Sequence, residues 1–189
     1  MAITDAERRN AVDAAIGCFG TANVLNRRAR NLNRFIVSLR FSGLLGVALV
    51  GIVVTLVPGN NGDFTWVAWV ASLLSIVNFC ASLVSMNWAW DQKYHNYMES
   101  IKENNWLSGQ FNELFRDTAL SDKKWREKYE NIKNLDSRRK EKDTEMHLKD
   151  NERHLGYRAG LLQFQQTCGQ CGLIPPDMKS TDCHSCGQF

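Results

Sequence analysis

The two stretches FSGLLGVALVGIVVTLV (Phe41–Val57) and FTWVAWVASLLSIVNFCASLVSMNWAW (Phe64–Trp90) decide how this chain is read. Between Phe41 and Trp90 the only charged side chain is Asp63, whereas the remainder of the 189 residues is dense in Lys, Arg, Asp and Glu. The connection from Pro58 to Asp63 is rich in Pro, Gly and Asn, which suit a tight polar turn and not a continuing helix. About 20 helical residues cross the hydrocarbon core. The second run has that length, and the first reaches it if Phe35 to Leu39 are included, with Arg40 snorkelling at one interface. The expectation is an all-α membrane protein built on an antiparallel two-helix transmembrane hairpin. Its spans fall at about 35–57 and 64–88. The alternative is a buried hairpin, but little else in the chain is apolar enough to wrap it.

Basic residues set the expected orientation. Arg27, Arg28, Arg30, Arg34 and Arg40 precede or flank the first span with no acid among them, and the connecting loop has no Lys or Arg. Both termini are therefore expected on the cytoplasmic side. Trp66 and Trp69 at one end, and Trp88, Trp90 and Tyr94 at the other, match interfacial aromatic belts. In the second run Ala71, Ser75, Asn78, Ser82 and Ser85 recur at +4, +3, +4 and +3, a small and polar stripe that lipid cannot satisfy. Two readings follow: a hydrogen-bonded helix–helix interface or a pore lining, and a homo-oligomer combines them.

The rest of the chain divides into an N-terminal amphipathic helix (1–33), the hairpin (34–90), a cytoplasmic helical region (91–160) and a tail (161–189). Thr4-Asp5-Ala6-Glu7 matches a capping box, so a helix starts there. Ala11, Ala15, Cys18, Ala22, Leu25, Ala29, Leu32 and Ile36 then form a small-residue seam that wants a partner helix, with Gly17 and Gly20 marking a break or a close crossing. After Trp90, apolar positions through Phe115 predict a helix bent near Leu107-Ser108-Gly109, and Ser121 or Asp122 caps another. From Asp136 to His154, 12 of 19 residues are charged, which reads as a solvated helix or a linker.

The tail carries the sharpest motif. Cys168, Cys171, Cys183 and Cys186 form two C-x-x-C-G turns separated by eleven residues. Each turn holds two thiolates on one side of a tight bend, and the pair makes a closed four-thiolate site typical of structural zinc. A redox dithiol pair and an iron–sulfur cluster are the alternatives, with His184 a lesser ligand candidate. Four protein ligands leave no open position for activated water, so catalysis at this metal is not expected. The whole segment reads as a small zinc-ribbon-like tail, stapled by Zn2+ because some 25 residues cannot build their own core. No phosphate-cradling loop, dinucleotide fingerprint, zincin helix or nucleophile elbow occurs, and a non-enzymatic protein is expected.

The N-terminal basic helix with Asn26-Arg27-Arg28-Ala29-Arg30, the paired apolar runs and the aromatic-rich helices behind them resemble the SLATT group of bacterial two-span proteins. The tail resembles bacterial mobile-element proteins described by a C-x-x-C-x(11)-C-x-x-C signature. The resemblance implies a multi-pass protein of the bacterial inner membrane. It implies an effector of an anti-phage or other conflict system that oligomerises and breaches the lipid bilayer when a cytosolic sensor or activating protein responds. The alternative is a membrane-tethered adaptor whose zinc tail binds a protein or a nucleic acid, the latter less favoured.

Overall fold

The computed structural model describes residues 3–56, 65–87 and 89–189, with several side chains between 44 and 87 outside the described set. Among the described residues five helices follow one another: α1 (Asp5–Leu56), α2 (Thr65–Asn87), α3 (Trp90–Arg116), α4 (Asp122–Thr144) and α5 (Asp150–Phe164). No strand occurs among the described residues, which are helical with an irregular tail.

Among the described residues no helix is long and apolar enough to cross a membrane. This overturns the transmembrane hairpin and, with it, the multi-pass inner-membrane placement. An uncharged run is necessary for a span but not sufficient, because sustained apolarity over the full thickness decides. The uncharged part of α1 is interrupted by Gly43, Gly46 and Gly51, and α2 spreads Ser72, Ser75, Asn78, Ser82, Ser85 and Asn87 along its length. The turn from Pro58 to Asp63 and Trp88 lie outside the described residues.

The chain divides into two compact units, Met1–Arg28 with Tyr97–Phe189, and Ala29–Asn96. In the second, Phe35 meets Trp90 edge to face at 5.0 Å between ring centroids. Arg40 bonds Asp91 at 2.8 Å, an exposed pair of little energetic weight. Ala89 in the left-handed region (φ 45°) ends the regular path before α3.

The first unit holds the core. At its start Thr4 Oγ1 accepts from the Glu7 amide (3.2 Å) while Glu7 Oε2 accepts from the Thr4 amide (2.8 Å), closing the capping box that launches α1. Ala11, Ala15 and Cys18 of α1 bury against Leu107, Phe111 and Leu114 of α3 and Trp125 and Ile132 of α4. α3 runs through Ser108 without interruption, and the Ser108 hydroxyl donates to the Ala15 carbonyl at 2.8 Å. Trp125, fully buried, donates its indole N–H to the Leu114 carbonyl at 3.0 Å and stacks on Tyr129.

The charge-rich segment is not a uniformly solvated face. Asp136 and Arg139 are buried on α4. Arg139 bonds Asp143 and Glu103, and Asp143 in turn accepts from Ser100 and Asn104 of α3, each at 2.7 Å. Asp136 accepts from Lys140 and from the Cys18 thiol, which burial and the adjacent carboxylate keep protonated. No buried side-chain polar atom among the described residues lacks a partner, as a packed interior requires.

α5 crosses α1 at backbone contact. A Cβ at Gly20 would stand 2.6 Å from the Gly156 carbonyl oxygen, one at Gly156 would stand 2.7 Å from that of Gly20, and one at Gly160 would meet the Ile16 carbonyl at 2.7 Å. Beside the crossing, Arg28 bonds Glu152 and the Met146 and His147 carbonyls, pinning the α4–α5 turn in which His147 is left-handed (φ 43°). Arg28 is therefore an internal tie of the first unit.

Helix propensity alone favours Gly→Ala by about 1 kcal/mol, but at the crossing the obstructing atoms are backbone and cannot turn aside. Gly156→Ala and Gly20→Ala are expected to lower stability by about 1–3 kcal/mol. Gly109→Ala, where a Cβ meets nothing within 4 Å, should raise it by about 0.5–1 kcal/mol. Thermal melts of the three variants check the contrast in sign.

Hydrogen bonding by Arg28 holds the Glu152 carboxyl below its ordinary value of 4.5. The folded chain thus releases this proton more readily than the unfolded one. The contribution is present above the ordinary value and is lost as pH falls through the depressed one. Glu152→Gln should flatten the acid limb of the stability–pH curve, measured by denaturant unfolding from neutral pH down to the acid transition.

Candidate metal centre

Downstream of α5 the backbone folds into two knuckles built alike. The Gly172 amide donates to the Cys168 carbonyl at 2.9 Å and the Gly187 amide to the Cys183 carbonyl at 2.8 Å. Each is closed a second time, by the Cys168 amide on Leu173 and the Thr181 amide on Gly187. The two glycines serve different needs. Gly172 has φ 70°, a conformation that L side chains rarely adopt, whereas Gly187 is pressed against Thr181, which leaves no room for a Cβ.

The knuckles face each other. Cys168 and Cys183 sulfurs lie 3.9 Å apart, as do those of Cys171 and Cys186, and all four lie within 4.8 Å of one another. A tetrahedral ion with metal–thiolate bonds of about 2.3 Å sets its sulfurs about 3.8 Å apart. The spacing and the soft donor set therefore fit a single metal ion, and none of the four cysteines is in a disulfide. Amides of Cys186 and Ser185 directed at the Cys183 sulfur hold its thiol down to about 6, and burial pushes that of Cys186 up. His184 is exposed and stands outside this group. Ser185 Oγ donates to Gln170 Oε1 at 2.7 Å, linking one knuckle to the other.

The site rests on the helical body. Ile16 of α1 and Leu161 of α5 bury together with Cys168 and Cys186, and Tyr157 and Phe164 close the margin. Arg158 is the residue that charge patterning missed. Only 2% exposed, it donates Nε to the Asp177 carbonyl (2.7 Å) and Nη1 to the Cys186 carbonyl (3.0 Å). It thereby takes up one carbonyl of the loop between the knuckles and one of the second knuckle. The signal was its place on the apolar face of α5, three residues from both Leu155 and Leu161. A cation at such a position asks for buried acceptors. His154 Nδ1, 3.0 Å from the Gln188 carbonyl, fastens the end of the chain.

The other residues singled out in the sequence do not join this site. Arg27, Arg30 and Arg34 are exposed on α1, and Arg40 pairs with Asp91. Ser75 is exposed on α2, while the side chains of Ala71, Asn78, Ser82 and Ser85 lie outside the described set.

Purified chain is expected to carry about one metal ion, read by elemental analysis, and Cys171→Ser or Cys183→Ser should reduce this to near zero. Arg158→Leu keeps every ligand but removes the carbonyl clamp, and metal affinity should fall by roughly 10–100-fold in a competition titration with a chromophoric chelator.

No curated protein and no solved structure matches this chain significantly, and the likeness to the SLATT group finds no support. One family does match, over residues 8–189, and its description is that of a mobilome protein with the CxxCx(11)CxxC pattern. The match takes in the helical body as well as the four ligands, so the chain belongs to the mobilome CxxCx(11)CxxC protein family.

Proposed function

We propose that this chain is a non-enzymatic adaptor of a mobile element, a helical body whose zinc-stapled tail presents an apolar loop to a partner protein. The observation that carries the reading is the loop between the knuckles. Leu173 is 69% exposed, Ile174 44% and Met178 38%, on a segment fixed at each end by a metal-ligand turn and in its middle by Arg158. Exposed apolar side chains on a rigid loop lose little entropy on docking, and such residues serve as anchors in protein interfaces. Zinc is the ion favoured by four thiolates in paired C-x-x-C turns. The short sulfur spacing supports one ion over a multi-iron cluster, which would hold its thiolates farther apart. With all four positions taken by protein, the metal's contribution is shape.

A photo-crosslinking residue placed at Leu173 should give a discrete adduct when the chain is co-expressed with the proteins encoded beside it. The adduct should vanish in Cys171→Ser, which unfastens the loop, and in Ile174→Asp, which keeps the metal. Adducts that persist in both variants, or that form only from a control position such as Asn33, would refute the adaptor role of the tail.

Self-association is favoured by a separate observation. On α2, Leu73, Ile76, Val77, Phe79 and Leu83 are all more than half exposed, a run of apolar surface that monomers seldom leave uncovered. Leu73→Glu with Ile76→Glu should shift the sedimentation velocity profile from oligomer to monomer. An unchanged profile would assign the apolar run elsewhere.

A further inference from the structure

Trp106 stands 53% exposed on α3 and Leu135 43% exposed on α4, and both line one groove of about 400 Å3. The groove arises because Glu103, Trp106 and Leu107 share one face of α3, while Leu135, Arg138, Arg139 and Lys142 recur at +3, +4 and +7 along α4. Leu107 and Arg139 form its floor, 2% and 4% exposed. The charge of Arg139 is spent on Glu103 and Asp143, at 2.6 and 2.7 Å.

The lip is different. Arg138 has no hydrogen-bond or ion-pair partner among the described residues, and neither has the indole N–H of Trp106. Lys142 is 63% exposed and approaches Glu99 only to 3.8 Å. The groove thus pairs an apolar slot with one unpaired guanidinium, an exposed ammonium held only loosely by Glu99, and an uncommitted N–H donor. Its chemistry is the complement of a peptide that offers a bulky apolar side chain flanked by carboxylates. Nucleic acid suits it less, because the slot between Trp106 and Leu135 is apolar and only Arg138 and the loosely paired Lys142 are there to meet phosphates.

We infer that the α3–α4 groove docks an acidic amphipathic helix of a partner protein, its apolar anchor seated between Trp106 and Leu135 and its carboxylates on Arg138 and Lys142. Helix-in-groove recognition reads anchors at i, i+3, i+4 and i+7, and the slot accommodates one or two of them. The inference is independent of the tail and of its metal.

The test uses the full chain and a fluorescein-labelled synthetic helix with Leu at those positions and Glu elsewhere. A second helix replaces every Glu by Lys, and a twelve-nucleotide oligothymidylate stands for nucleic acid. Fluorescence anisotropy should show saturable binding of the Glu helix alone. Trp106→Ala, an exposed position that leaves the fold intact by circular dichroism, should weaken it at least tenfold. Arg138→Glu with Lys142→Glu should abolish it and confer binding of the Lys helix, a reversal that unfolding cannot mimic. Absence of saturable binding by the Glu helix, equal binding of both helices, indifference to Trp106→Ala, or oligothymidylate binding lost in the same variants would each overturn the inference.

Discussion

The contact between α1 and α5 at Gly20 and Gly156, with Gly160 on Ile16, is the constraint on which the first unit depends. Two helices meeting at their backbones bring their flanking side chains into immediate register. On one side of the crossing Arg28 reaches Glu152 and the α4–α5 turn. On the other, Ile16 and Leu161 form the floor beneath Cys168 and Cys186. A larger residue at the crossing would separate these groups together. The metal centre is therefore an outgrowth of a helix packing decision made more than 130 residues earlier in the chain, and not a separate bead on a tether.

The interior is held by two kinds of interaction that divide the work. Apolar burial around Phe111, Leu114 and Trp125 is large but tolerates sliding. The network from Ser100 and Asn104 through Asp143 to Arg139 and Glu103 is directional, and breaking one member would strand a buried charge at several kcal/mol, roughly 3–5. Such networks select one register of α3 against α4. The same register sets Trp106 beside Leu135 and leaves Arg138 turned outward.

Legibility in the sequence followed the range of the interaction. The capping box at Thr4 and Glu7 and the paired C-x-x-C turns are local patterns whose residue types leave few alternatives, and each could be read without knowing the fold. The seam of Ala11, Ala15, Cys18 and Ala22 announced a partner helix but could not say which, because small residues carry no address. Phe41 to Trp90 resembles two spans by its lack of charge, but among the described residues no helix is long and apolar enough to cross a membrane, and absence of charge alone does not report that. Arg28, Arg139 and Arg158 were opaque for a common reason. An arginine's role is set by the acceptors around it, and these came from segments distant in sequence.

The first unit is discontinuous, its opening helix separated from everything it packs on by Ala29–Asn96. During synthesis the Gly20 face of α1 must wait, apolar and unpaired, until α5 has left the ribosome, and the metal ligands follow later still. Non-local closure of this kind is slow and exposes surfaces that aggregate. The order of synthesis thus brings in the α1–α5 crossing and the four cysteines only after the other helices of the unit have been made.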